Sequence, residues 1–350
     1  MDIEIVLKKN IDDSYKIYLG DLEPLRFETK VAIVTNKTIA PIHLAALRSK
    51  ISASEINEII IDDGEEYKNL QTIEKILDRL CDLRLDRKSV LIAFGGGVIG
   101  DMTGFCAAIY QRGISFVQIP TTLLAMVDAS VGGKTGVNNS YGKNLIGAFY
   151  QPLSVHIDPV WLKTLPKREF LSGVAEIIKM AVTLDSGFFE WLEKADLNDD
   201  KTLKEAIARS IRLKADIVMQ DEKENGARAA LNYGHTFAHA IEKESGYGVI
   251  LHGESVAMGM VMANYLALSL GLIKDEEALR IKRAIKKFGL NPHYKTPNPE
   301  LFYERFFLDK KTKNNNITFV LPRSIGGYIF VSDAPKKFVL EAIEKGGECK

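Results

Sequence analysis

Residues 89–110 read SVLIAFGGGVIGDMTGFCAAIY, and this stretch decides the fold. A short apolar run leads into three consecutive glycines, and a helix-compatible segment follows. Gly95, Gly97 and Gly100 fit GxGxxG in the strand–turn–helix context that a dinucleotide pyrophosphate requires. Glycines at such a turn let backbone N–H groups approach a phosphate at a helix N-terminus. Three clustered glycines also serve as a plain tight turn, so the loop alone does not establish a ligand. The acidic residue expected about 20 residues further on, to hold the ribose hydroxyls, is absent, because that stretch reads QIPTTLL. A bound dinucleotide should therefore have its ribose held elsewhere, at the ends of the earlier strands, at Asn36 and at the GEEYK turn.

Outward from the glycines, the first half alternates short β-branched runs with helical segments. KVAIVTN (30–36) precedes IAPIHLAALRSKI, EIIIDDG (58–64) precedes NLQTIEKILDRLCDLRL, and ISFVQIPTT (114–122) follows the glycine helix. Strands separated by helices of this length pair in parallel, with helices on both faces. The first 20 residues alternate apolar and polar positions and carry acids early, so they read as a first strand and not as a secretory leader. After Trp161 the period becomes helical, through REFLSGVAEIIKMAV, FFEWLEKA, TLKEAIARSIRLKADIVMQDE, HTFAHAIEKES and EEALRIKRAIKKFG. Strand signals return only at NITFVLP and GGYIFVS. The expected architecture is a Rossmann-like α/β domain with a mostly parallel sheet over residues 1–163, then a mainly α-helical domain over 164–350, with Pro166 at the boundary.

Composition excludes several classes. At 350 residues, 46% hydrophobic and 26% charged, the chain suits two ordinary globular domains. Its 46 Lys plus Arg balance 46 Asp plus Glu, so no general field draws it to nucleic acid or an anionic membrane. Cys81, Cys106 and Cys349 are scattered and lack CxxC spacing, as in reduced, cytoplasmic proteins. Residues 255–273 carry no charge and reach the roughly 18-residue length of a spanning helix. Asn264, Tyr265 and several Gly and Ser residues dilute them, and a buried core helix is the expectation.

Three of the six histidines, His235, His239 and His252, fall within 18 residues. His235 and His239 are four apart on one helical face, and a glycine-rich turn can return His252 beside them. Glu176 and Lys179 share another face, where a carboxylate on an apolar stripe is costly unless paired or ligating. Two histidines with one glutamate leave an open position, the pattern of catalytic zinc. Taken singly, each histidine reads as a hydrogen-bonded core residue.

These residues sit in motifs that resemble the 3-dehydroquinate synthase family, within the sugar phosphate cyclases. GGGVIGDMTGF, QRGISFVQIPTTLLAMVDASVGGKTGVN, GKNLIGAFYQP, GVAEIIKM, DEKENGARAALNYGHTFAHAIE and LHGESVAMGMVMA occur in the family's order and at similar spacing, over nearly the whole chain. The resemblance implies Glu176, His235 and His252 as ligands of Zn2+ or Co2+. It implies an NAD site lined by Asn36, Glu65, Lys68, Gly96, Gly97, Asp101, Thr121, Thr122, Leu124, Lys143 and Thr164. It further implies substrate contacts from Arg112, Asp128, Lys134, Asn144, Lys179, Lys214, Arg228, Asn232, His239 and one of Lys310 or Lys311. Asn139 stands where the family pattern has a histidine, Tyr233 where it has Leu or Phe, and Ala238 where it has Gly.

The implied activity converts 3-deoxy-D-arabino-heptulosonate 7-phosphate into 3-dehydroquinate and phosphate, a step of the shikimate route to aromatic amino acids. Transient oxidation by NAD precedes phosphate elimination, re-reduction, ring opening and aldol closure, so no NAD is consumed. The family also implies a cytoplasmic homodimer acting on a small molecule, with Arg112 reaching the partner's site, and no nucleic-acid or membrane partner. The alternatives are another sugar phosphate cyclase, a metal-dependent alcohol or glycerol dehydrogenase, or a non-catalytic protein with a structural metal.

Overall fold

The computed structural model describes residues 12–246, 248–308 and 317–348. Six strands form one sheet: β1 (Lys16–Leu19), β2 (Lys30–Asn36), β3 (Glu55–Ile61), β4 (Val90–Gly95), β5 (Ser115–Pro120) and β8 (Ser154–Ile157). Their order is β1-β8-β5-β4-β2-β3, and every pairing is parallel. Between β5 and β8 an antiparallel hairpin, β6 (Lys134–Asn139) and β7 (Gly142–Phe149), leaves the sheet. A second small hairpin joins β9 (Phe319–Pro322) to β10 (Tyr328–Val331).

Alternation along the strands divides the interior. Val31, Ile33, Ile92, Phe94, Val117 and Ile119 point to one face. Ala32, Val34, Leu91, Ala93 and Phe116 point to the other, as the two-residue period of a strand demands. The second face is covered by α1 (Leu70–Asp82) and α2 (Gly97–Ile109). The first face is covered by helices of the chain's second half, and one apolar cluster runs from Leu22 to Ile343 without a break at residue 163.

That second half contains α3 (Lys167–Leu184), α4 (Ser186–Leu192), α5 (Asp200–Gln220), α6 (His235–Ser245), α7 (His252–Ser269), α8 (Asp275–Lys287), α9 (Pro299–Glu304) and α10 (Lys336–Gly346). The uncharged segment anticipated as a core helix forms most of α7, which is buried on nearly all sides. Among the described residues no helix is long and apolar enough to cross a membrane. The anticipated second strand starts earlier and ends earlier, at Glu55–Ile61, because the DDG residues already turn away. The segment after the first long strand forms a wide helical turn and one short α-turn over 40–48, not a full helix, with Pro41 in its first turn. Of the anticipated first strand, Lys16–Leu19 is seen and residues 1–11 lie outside the described part. Cys81 and Cys106 are free thiols, and Cys349 lies outside.

After β2 the chain moves outward to β3, then returns across β2 to form β4. The carboxyl ends of β2 and β4 therefore flank the topological switch point, where open parallel sheets bind ligands.

Candidate active site and metal centre

Helix α2 starts at the switch point with Gly96 as its N-cap residue, and its free N–H groups face the carboxyl edge of the sheet. Thr122 lies against Gly96, where an added Cβ would sit 3.0 Å from Thr122 Cγ2. Thr121 N donates to Gly95 O at 2.9 Å, and the buried Thr121 hydroxyl has no protein partner among the described residues. At the end of β2, Asn36 Nδ2 donates to Asp63 Oδ1 at 2.6 Å. Glu65 accepts from Asn138 Nδ2 at 2.7 Å. Lys68 is buried, donating to Asp101 Oδ2 and Asn144 Oδ1, each at 2.6 Å. Burial opposes the Lys68 charge, but Asp101 and Glu65 outweigh it and hold its pKa above the ordinary lysine value. Thr164 Oγ1 lies 2.6 Å from His43 Nε2, and the Leu124 backbone packs against α3 at Gly173. These residues gather round one edge of the sheet.

The three anticipated ligands come from three helices. Glu176 in α3 is fully buried, and neither carboxylate oxygen receives a hydrogen bond of ordinary geometry among the described residues. The Lys179 ammonium, one helical turn on, lies against Oε2. His235 Nε2 and His252 Nε2 lie 3.8 and 3.5 Å from Glu176 Oε1. One donor atom from each residue falls within 4.8 Å of the others.

Both imidazoles are held by their far nitrogens. His235 Nδ1 donates to Tyr233 O at 3.2 Å, and His252 Nδ1 to Glu242 Oε1 at 2.9 Å. In the neutral ring each such bond keeps the proton on Nδ1 and turns Nε2 toward the common point, which is the arrangement of metal-ligating histidines. Burial opposes a charge on His252, yet Glu176 and Glu242 overcome it and push its pKa up to about 9. A buried carboxylate with a lysine on one oxygen and two oriented imidazoles facing the other fits a divalent cation better than it fits a dry core. His239, expected beside them, stacks edge-on against His235 with ring centroids 5.8 Å apart.

Close packing sets these distances. Gly253, next to His252, lies so near α3 that an added Cβ would be 2.2 Å from Ser172 O. Gly253 N also donates to Ser172 Oγ at 2.8 Å. The start of α7 is thereby pinned to the helix that carries Glu176.

Cations ring the centre. Lys214 in α5 donates to Asp128 Oδ1 at 2.6 Å. Burial works against the Asp128 carboxylate, but Lys214 and Lys179 hold its pKa well below the usual range. Burial likewise lowers Lys214, despite Asp128. Arg228 is buried, donates to Gly132 O at 3.0 Å, and lies under Gly132, whose φ of +97° and missing Cβ make room for the guanidinium. The loop that presents Arg228 is tied by Asp221, which accepts from the backbone N–H groups of Asn225, Gly226 and Arg228 at 2.9, 2.7 and 3.0 Å. In the same loop Glu224, at φ +57°, takes Lys134 on one oxygen and Asn232 Nδ2 on the other, the latter at 2.7 Å.

Glu224 and Glu242, whose carboxylates hold site residues, are not among the residues singled out from the sequence. Glu224 lies in the charged run DEKEN, which reads as a solvated face. Glu242 gave a usable signal, since positions 235, 239 and 242 share one helical face. Arg112 stands exposed at the end of a turn, with φ +69°, and among the described residues no contact joins it to the cluster. Lys310 and Lys311 lie outside the described residues.

A parallel sheet with a nucleotide-type switch point, closed by helices that bring a glutamate and two histidines together, is the architecture of the sugar phosphate cyclases. In 2-epi-5-epi-valiolone synthase from Streptomyces hygroscopicus, solved with NAD+ and Zn2+ bound, it recurs at a TM-score of 0.87 and 27% identity, over 97% of this chain and 98% of that one. A 2-deoxy-scyllo-inosose synthase, complexed with carbaglucose-6-phosphate, NAD+ and Co2+, gives a TM-score of 0.83 at 25% identity, over 94% and 98%. Family models described as the N-terminal and C-terminal parts of 3-dehydroquinate synthase match residues 58–172 and 173–312. The 3-dehydroquinate synthase of Sulfurovum sp. (strain NBC37-1) is 60% identical over 343 residues, 98% of this chain and 97% of that one. The chain belongs to the 3-dehydroquinate synthase family.

Proposed function

We infer that this chain is a carbon–oxygen lyase that converts 3-deoxy-D-arabino-heptulosonate 7-phosphate into 3-dehydroquinate and phosphate, using NAD and Zn2+ or Co2+. The observation that carries the reading is the convergence of Glu176, His235 and His252 inside a member of this family that spans 97% of its Sulfurovum relative. When bound, the metal supplies Lewis acidity to substrate hydroxyls and the dinucleotide supplies a hydride acceptor that is regenerated in the same turnover.

The chain's own residues bind and orient. Residues 1–163 serve the dinucleotide, with the N–H groups at Gly96 and Gly97 directed to its pyrophosphate and Asn36, Glu65 and Lys68 at the strand ends. Asp101, Thr121, Thr122, Leu124, Lys143 and Thr164 complete that site. Residues 164–350 serve the metal and much of the substrate. The substrate carries a carboxylate and a phosphate, so a chain of zero formal net charge must concentrate cations locally. Lys134, Lys179, Lys214 and Arg228 do this, Arg228 as a planar fork and the lysines as point charges. Asp128, Asn144, Asn232 and His239 orient hydroxyls, and one of Lys310 or Lys311 adds a further cation. Arg112 acts across a homodimer interface, and the enzyme works in the cytoplasm. With so many groups preplaced, orientation and exclusion of water carry much of the reaction.

The test is direct. Purified protein given the heptulosonate phosphate should release inorganic phosphate only when both NAD and Zn2+ or Co2+ are present, with no net NADH. Steady NADH accumulation without phosphate release would contradict the assignment and favour a dehydrogenase.

A further inference from the structure

Glu242 is a buried carboxylate beside the three ligands that the ligand set does not include. It is 1% exposed, on α6 seven residues after His235. Its Oε1 receives His252 Nδ1–H and the Ser255 hydroxyl, each at 2.9 Å. Its Oε2 receives the Lys143 ammonium at 2.7 Å, from the hairpin that packs on the dinucleotide side. A buried anion tied this way is costly to remove and hard to reorient. It joins an element assigned to NAD, the helix of His235 and the helix start of His252.

We propose that Glu242 is a positioning residue for the metal centre, fixing the His252 tautomer and ring angle so that Nε2 meets the cation, with Lys143 keeping the carboxylate aimed. The inference rests on the metal assignment of Glu176, His235 and His252. Two consequences follow from the hydrogen-bond geometry. His252 can present its Nε2 lone pair only if Nδ1 carries the proton, and a carboxylate at Nδ1 enforces that tautomer and raises the basicity of the ring. Moreover, α6 and α7 each contribute one ligand, and Glu242 is a polar bond between them close to the metal point.

The experiment uses the full-length protein stripped of metal and titrated with Co2+ against a chromophoric chelator, with the visible absorption of the bound cobalt recorded. Glu242→Gln keeps the shape of the side chain, and Glu242→Ala removes it. Far-UV circular dichroism establishes that each variant folds. The expected result is a loss of Co2+ affinity of roughly 10- to 100-fold, with an altered cobalt spectrum in the folded Gln variant. His235→Ala serves as the reference for a missing ligand. If the wild type binds Co2+ and Glu242→Gln binds it within twofold with an unchanged spectrum, the positioning role is overturned. If the wild type itself fails to bind, or His235→Ala binds as well as the wild type, it is the metal assignment that fails. Should Glu242→Ala fail to fold, the Gln variant decides alone.

Discussion

Lys134 is exposed, yet its ammonium lies against Glu224, whose other oxygen is held by Asn232. An exposed ion pair adds little stability, so a lysine held in this way between glycines points to a ligand. Lys134→Ala should therefore lower turnover by roughly 10- to 100-fold, the worth of one charge-assisted hydrogen bond to substrate, while the melting temperature stays unchanged. Wild-type turnover in that variant would remove Lys134 from the pocket. Tyr233 makes the opposite kind of case. Its phenol is fully buried and donates to Asn264 Oδ1 at 2.5 Å, while its carbonyl accepts from His235. Tyr233→Phe should cost about 1–3 kcal/mol of stability in chemical denaturation by leaving Asn264 without that donor. Glu176, His235 and His252 were legible because their residue types are expensive where they stand, and Lys134 because it lies among glycines in GGKTG. Glu224 stayed hidden because only the folded loop, held by Asp221, turns it inward.

At the level of elements, the centre depends on three helices approaching closely. A methyl group at Gly253 would collide with the Ser172 backbone, which cannot yield as a flexible side chain would. Gly253→Ala should thus destabilise the fold by about 1–3 kcal/mol and also weaken metal binding in the chelator titration, since His252 moves with the start of α7. A stability loss without any change in metal affinity would show that the α3–α7 contact does not set the site. Helix periodicity locates α3, α4, α5, α6, α7 and α8 in the sequence. The β6–β7 hairpin was not anticipated, although its GGKTG and GKN motifs were. Gly136 and Gly147 sit opposite each other in it, and such glycines erase the alternation by which strands are recognised. The hairpin packs on α2 and not in the sheet, so no neighbouring strand signal marks it either.

Across the whole molecule, the sheet's two faces are served by different parts of the chain, and the larger apolar cluster spans the halves that the sequence suggested treating separately. Composition and strand spacing indicate a parallel sheet followed by helices, but neither reveals that the helical half forms the sheet's missing layer. One consequence is that metal binding should be felt globally. A cation held by Glu176, His235 and His252 stabilises the folded chain by mass action, about 2.7 kcal/mol at a hundredfold excess over Kd. Thermal melts should rise with added Zn2+ or Co2+ and fall with a chelator, and a midpoint indifferent to both would contradict a site in the folded core.

The most direct measurement is an anomalous difference map at the zinc edge from crystals grown with NAD and Zn2+. One peak is expected within roughly 2.0–2.2 Å of a Glu176 oxygen, His235 Nε2 and His252 Nε2 together, beside the dinucleotide. A peak elsewhere, or a Glu176 carboxylate with no metal density at saturating Zn2+, would contradict the assignment of this site.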